Sequence, residues 1–133
     1  MGKYTLDFTA SEINNRLSKL DNTPISMELV WQNASPSSEF AAQTIELDLS
    51  KYTKYEIEFL FHTAETHINI QKSVVGNKML LCLNDAGSIY RRNVASTASS
   101  LYFSDMVGSH NTGSSINDNN YLIPCRVYGI KGV

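Results

Sequence analysis

The sequence of 133 residues predicts a mainly β protein, an antiparallel β-sandwich of jelly-roll type with a short N-terminal α-helix. Three observations predict this class. Apolar and polar residues alternate with a period of two in most runs after Pro24, which is typical of half-buried strands. Turn-forming residues separate these runs at short intervals. No helical run separates the later strands, so two antiparallel sheets packed face to face are favoured over a parallel sheet.

A helix is predicted over residues 9–20. Thr9 and Glu12 match a capping box, in which each side chain accepts a hydrogen bond from the backbone amide of the other residue. One narrow apolar stripe runs along the predicted helix and consists of Ile13, Leu17 and Leu20. Such a stripe either packs on the β domain of the same chain or forms an oligomerisation seam between copies, as in a short coil of three chains.

The β domain is expected over residues 24–133, after an arm and helix over residues 1–23 that serve attachment or oligomerisation. The first alternating run places four apolar side chains on one face: Ile25, Met27, Leu29 and Trp31. Of these, Trp31 is expected in the core. A later run places on one face Tyr55, Ile57, Phe59 and Phe61. Further strand-like runs cover residues 45–50, 67–72, 78–83, 88–94, 101–104 and 121–130.

Two short segments have the composition of hairpin turns, Gly76-Asn77 and the residues 85–87. Residues 108–120 are polar and contain several glycine, serine and asparagine residues, which predicts a long loop. Loops of this length are often functional, although a tolerated surface insertion is the simpler explanation of the composition.

The charge pattern gives no indication of nucleic-acid binding or membrane insertion. The net charge is −2, and the only adjacent basic pair, Arg91-Arg92, is expected on a solvated strand face. A nucleic-acid interface requires a concentrated basic patch. No run of the sequence is apolar enough to predict a transmembrane helix.

No pattern predicts catalysis, a cofactor or a metal site. His62, Glu65 and His67 lie close together around a predicted turn, but a dedicated zinc site usually has more ligands in a tighter pattern. Cys82 and Cys125 are expected to be buried free thiols, and they can pair only if their strands are neighbours. No nucleophile motif is present, so the protein is not expected to be an enzyme.

Binding is therefore the expected activity. Tyrosine side chains offer a large ring with a polar end, and polar loop residues offer hydrogen-bonding groups, which together suit sugars or protein surfaces. The candidate ligand-binding residues are Tyr90, Tyr102, His110, Asn111, Asn117 and Asp118.

Three segments resemble structural proteins of tailed phages and of prophages of Gram-positive bacteria. They are TASEINNRL at residues 9–17, LVWQNASPSSEFAAQTIELDLS at residues 29–50, and YLIPCRVYGIK at residues 121–131. The resemblance covers the beginning, the early body and the end of the chain. It carries over no catalytic or ligand-binding residue and no cofactor.

The resemblance implies a β module at an exposed position on the virion, assembled in the cytoplasm of a host bacterium and present as a homotrimer or in another repeated arrangement. Residues 1–20 would contact other virion proteins. The expected function is that of a tail-associated fibre or receptor-binding module that attaches to a polysaccharide of the host cell surface. The alternative is a capsid decoration or head-fibre protein with a purely structural role.

Overall fold

A computed structural model describes residues 26–131. The predicted helix, with Ile13, Leu17 and Leu20, lies outside the described residues. The described part contains ten β-strands: β1 (Ser26–Gln32), β2 (Gln43–Glu46), β3 (Lys54–His62), β4 (Ile68–Val74), β5 (Lys78–Asp85), β6 (Ser88–Ser96), β7 (Ser100–Phe103), β8 (Val107–Ser109), β9 (Ser115–Asn117) and β10 (Tyr121–Lys131).

The strands form two antiparallel sheets, which confirms the predicted mainly β class. The first sheet has four strands in the order β1-β10-β3-β4, and the second has six, in the order β2-β7-β6-β8-β9 with β5 also paired to β6. In the second sheet β6 is central, because β5 pairs along one of its edges while β7 and β8 pair with successive parts of the other.

One apolar core is shared by the two sheets. Ile57 and Phe59 of β3 and Val127 of β10 belong to the same buried cluster as Leu81 of β5 and Leu101 of β7. The alternation predicted for residues 55–61 is therefore correct. Burial of these side chains from both sheets supplies the main stabilising term of the fold.

Strand β1 departs from the predicted pattern. The register of β1 against β10 shifts between Leu29 and Trp31, as expected for a β-bulge at Val30. Trp31 packs against the core, as predicted, but Met27 and Leu29 are exposed. The prediction that these side chains share one face was wrong, because an extra residue in a strand reverses the faces of the residues on either side of it.

The predicted long loop at residues 108–120 is partly ordered into strands. Strands β8 and β9 pair with each other, and the turn between them closes with a hydrogen bond from the His110 amide to the Ser114 carbonyl, 2.7 Å. The two predicted turns are present. Gly76 has a φ of 96° between β4 and β5, and Gly87 has a φ of 87° between β5 and β6.

Arg91 and Arg92 do not share a solvated face. Arg92 is fully buried, whereas its neighbour Arg91 is exposed, because successive residues of β6 point to opposite sides of the sheet. The guanidinium of Arg92 donates hydrogen bonds to backbone carbonyls only, among them those of Phe40 and Leu122. The expectation of a solvated basic pair was therefore wrong for Arg92.

The two cysteines are free. Cys125 is buried, as predicted, but Cys82 is exposed on β5. Within residues 26–131 no helix is long and apolar enough to cross a membrane.

Candidate functional site

A cleft opens at one end of the two sheets, between the beginning of β4 and the end of β5. Its volume is about 330 Å³, within the range of small-molecule sites. It is lined by Phe61, Glu65, His67, Asn69, Leu83, Asn84 and Asp85. A turn at residues 75–77 joins β4 to β5, but the two strands are edge strands of different sheets. The cleft lies at the ends of the strands that are far from this turn, where they have separated.

An aromatic cluster stands behind the cleft. The ring of Phe61 makes edge-to-face contacts with two tyrosine rings. The centroid distances are 4.8 Å to Tyr90 and 5.3 Å to Tyr121. Tyr90 and Tyr121 stack at 4.6 Å, and His62 meets Tyr121 at the same distance. These contacts fix the half-buried Phe61 as one apolar wall of the cleft.

The hydroxyl group of Tyr90 stays protonated at neutral pH. Burial raises the pKa of Tyr90 above its ordinary value, and the nearby Tyr121 and Asp85 raise it further. Tyr90 therefore remains a neutral aromatic side chain, and its ring supports Phe61 from behind.

The remaining wall of the cleft is polar. Asn69 points from β4 toward the inside of the fold, since it pairs with the buried Phe59. Glu65, His67 and Asp85 are exposed at the rim and add two carboxylates and an imidazole. The Asn84 side-chain oxygen accepts a hydrogen bond of 3.1 Å from the Gly87 amide. This bond fixes the orientation of the Asn84 side chain at the rim.

This arrangement suits reversible binding of a ligand with an apolar face and several hydroxyl groups. Amides can donate and accept hydrogen bonds, and carboxylates can accept them, around a ring that lies against Phe61. Within residues 26–131 there is no group of three or more histidine, cysteine, aspartate and glutamate side chains that could hold a metal ion.

None of the predicted ligand-binding residues lines the cleft, but several lie close to it. Tyr90 is buried behind Phe61, and Asp118 contributes to the electrostatic field at Tyr90. Asn111, at the tip of the β8–β9 hairpin, donates hydrogen bonds to the Ser88 hydroxyl, 3.2 Å, and to the Ala86 carbonyl, 3.3 Å. The hairpin tip is thus attached to the turn that follows Asp85.

The other candidates are dispersed. His110 is exposed at the same hairpin tip as Asn111, and Asn117 is exposed at the opposite end of β9. Tyr102 is exposed on β7, where it pairs with Thr44 and Ala95, away from the cleft. The structure therefore does not bring the six residues together, and their role in binding stays a prediction.

The cleft residues that sequence reasoning missed have one detectable signal. Along β4, the side chains on the core side are polar: Asn69, Gln71 and Ser73. Polar residues at inward positions of an edge strand indicate that water or a ligand reaches the inside of the fold there.

Comparison of the chain with models of known protein families, with characterised proteins and with solved structures finds no match.

Proposed function

We propose that the chain is a structural protein of a tailed-phage virion, a tail-associated fibre or receptor-binding module that attaches to a host cell-surface polysaccharide. The observation that carries the proposal is the cleft beside Phe61, which combines an apolar aromatic wall with amide and carboxylate groups. The resemblance of three segments to phage structural proteins supports the virion context.

The chemistry of the cleft favours a saccharide over other small ligands. A sugar ring has an apolar face of C–H groups, which can lie on Phe61, and a rim of hydroxyl groups, which can bond to Asn69 and Asp85. The two carboxylates of the rim, Glu65 and Asp85, disfavour a strongly anionic ligand. We propose binding without hydrolysis.

Several copies acting together would strengthen such binding. We propose a homotrimer, as the resemblance implies, in which weak sites of single chains combine into a tight multivalent attachment. Light scattering on the full chain tests the trimer directly, since a monomer would remove the multivalent part of the proposal.

We further propose that the two sheets are a sandwich of jelly-roll type. Connections that cross between the sheets, such as β1 to β2 and β9 to β10, support this finer assignment. The β3–β4 and β5–β6 hairpins remain within one sheet and are compatible with any antiparallel sandwich. A crystal structure of the full chain tests the connectivity.

The experiment is saccharide binding by the full chain and by matched variants. A microarray of polysaccharides and oligosaccharides from Gram-positive cell walls identifies a bound saccharide, which is then titrated by NMR. Replacing Asn69 and Asp85 by alanine should weaken binding at least tenfold. The control replaces Asn117 and Asp118 by alanine, since these residues lie outside the cleft but were predicted from the sequence.

The binding results distinguish the cleft from the β8–β9 region as the site, and receptor attachment from a purely structural role. Loss of binding in the cleft variants with the control unchanged would support the proposed site. Loss in the Asn117 and Asp118 variant alone would move the site to the β8–β9 region and contradict the cleft. Absence of any saccharide binding by the full chain would contradict receptor attachment and favour the alternative, a capsid decoration or head-fibre protein.

A further inference from the structure

The outer face of the four-stranded sheet carries exposed apolar side chains along both of its edge strands, with Lys72 among them on β4 and charged side chains on the two central strands. On β1, Met27 and Leu29 are 46% and 51% exposed, and on β4, Ile70 and Val74 are 57% and 45% exposed. The registers of the four strands place these side chains on the side of the sheet that faces away from the core. We call this surface the outer apolar face.

The reversed polarity of β4 makes this surface unusual. An edge strand over a core normally turns its apolar residues inward, but β4 directs Ile70 and Val74 outward and Gln71 and Ser73 inward. Strand β1 does the same before its bulge, at Met27 and Leu29. Both edge strands of one sheet therefore present apolar side chains to whatever lies on its outer side.

The centre of the outer apolar face is already sheltered from water. Ile130, which pairs with Met27, is only 4% exposed, although it does not belong to the core shared by the two sheets. Glu56 is 5% exposed and forms an ion pair with Lys72 at 3.6 Å. The charged groups at the centre are thus paired with each other, which lowers the cost of covering them.

A groove continues the outer apolar face at one end of the sheet. Its volume is about 380 Å³, and its lining combines Leu60, Ile68 and Cys125 with polar residues, among them Glu65 and Arg126. Leu60 and Ile68 are direct partners in the β3–β4 pairing, so the groove lies on the same side of the sheet as Ile70. An apolar surface of this kind normally has an occupant.

We propose that the occupant is residues 9–20 of the same chain, packed on the outer apolar face through Ile13, Leu17 and Leu20. The 25 residues that precede Ser26 lead directly into β1, which is an edge strand of this face. From Leu20 to Ser26 the chain can extend over ~20 Å, enough to turn back across the sheet.

The dimensions of segment and surface agree. A helix over residues 9–20 is ~18 Å long. The distance across the sheet from β1 to β4 is three strand spacings, ~14 Å. A stripe of three apolar side chains is too narrow to be buried on all sides, but it suits contact with the one face of a sheet.

The polar side of residues 9–20 would also have a role in this arrangement. With the apolar stripe on the sheet, Asn14, Asn15, Arg16 and Lys19 would turn to solvent. That side would remain available to another virion protein while the stripe fixes the segment on its own β body. This inference does not depend on saccharide binding by the cleft.

The test is paramagnetic broadening of NMR signals in the full chain. A nitroxide is attached to Lys19→Cys in a Cys82→Ser background, because Cys82 is exposed whereas Cys125 is buried. The ¹⁵N-labelled, spin-labelled chain is diluted with excess unlabelled chain, so that only contacts within one chain broaden signals. We expect broadened amides in β1 and β4 and unaffected amides in β5.

A pair of variants checks that the apolar contacts are responsible. The double change Leu29→Ser and Ile70→Ser should abolish the broadening, and so should Ile13→Ser with Leu17→Ser, which leaves the β body unaltered. The matched control is Leu80→Ser on β5, which is 43% exposed on the other sheet. This control should keep the broadening of the parent chain.

Three results would overturn the proposal. Broadening that appears only when the nitroxide is on an unlabelled neighbouring chain would mean that another copy supplies the segment. Broadening of β5 would place the segment on the second sheet. No broadening of any strand would mean that the segment does not pack on the β body of its own chain.

Discussion

Arg92 is fully buried and donates hydrogen bonds to four backbone carbonyls. Its Nε bonds to the Leu122 carbonyl at 3.0 Å, its Nη1 to Phe40 at 2.9 Å and Ser104 at 2.6 Å, and its Nη2 to Tyr121 at 2.9 Å. Phe40 and Ser104 lie in segments that connect strands, whereas Tyr121 and Leu122 are the first two residues of β10. One guanidinium therefore ties two connecting segments to the beginning of a strand of the first sheet.

The same side chain also supports an unusual backbone conformation. Leu122 has a φ of 53°, which costs a residue with a side chain roughly 1–2 kcal/mol. The two peptide units that flank the Leu122 Cα have the carbonyls of Tyr121 and Leu122. Both carbonyls accept hydrogen bonds from Arg92. Burial lowers the pKa of Arg92 to about 10, so the guanidinium still carries its charge at neutral pH.

Replacing Arg92 by methionine should therefore lower the free energy of unfolding by at least about 3 kcal/mol, because each buried carbonyl left without a donor costs roughly 1–3 kcal/mol. Urea denaturation of the full chain measures this loss. The control is Arg91→Met on the exposed side of β6, which should change stability by no more than about 0.5 kcal/mol. Equal losses in both variants would contradict the structural role of Arg92.

At the scale of elements, the β5–β6 hairpin has a turn whose two central residues both have positive φ, 52° at Ala86 and 87° at Gly87. This is a type I′ turn, in which asparagine followed by glycine is the preferred pair. Alanine tolerates positive φ poorly, whereas the short polar side chain of asparagine accepts it.

Ala86→Asn should therefore raise the free energy of unfolding by up to about 1 kcal/mol, measured by urea denaturation. Gly87→Ala is the opposite control. It should destabilise the chain, since φ is positive and an added Cβ would lie 3.1 Å from the Cβ of Asn111. A neutral or destabilising effect of Ala86→Asn would contradict the assigned turn conformation.

How well an element could be predicted depended on its pairing. Strand β3 follows its alternation because it is paired on both edges, with β10 and β4, and one of its faces is buried throughout. Strand β1 is an edge strand, and the bulge at Val30 reversed the faces of Met27 and Leu29 without any signal in the composition. Regular alternation alone cannot reveal where an extra residue is inserted.

The candidate site was less predictable than the fold for a related reason. Tyr90 and Asn111 were selected for their residue type, and the structure places both near the cleft but not in its lining. Asn69 was missed because its inward position depends on the pairing of β4 with β3. Strands β8 and β9 were missed because they are short and their polar residues resemble a loop.

At the scale of the whole molecule, the two sheets depend on one core. Trp31 of the first sheet packs against both Phe40 and Phe103, with ring centroids 6.2 Å and 6.4 Å away, and Phe103 belongs to β7 of the second sheet. The fluorescence of this single tryptophan therefore reports on contact between the sheets. Because the buried cluster is continuous, neither sheet has a separate core that would keep it folded alone.

This dependence predicts one cooperative unfolding transition for the described β body. Ile57→Ala in the first sheet and Leu101→Ala in the second should each lower the free energy of unfolding by about 2–5 kcal/mol, since both side chains are fully buried. In each variant, urea transitions followed by Trp31 fluorescence and by far-ultraviolet circular dichroism should coincide. If Leu101→Ala shifted only the circular dichroism transition, the sheets would unfold separately and the shared core would not couple them.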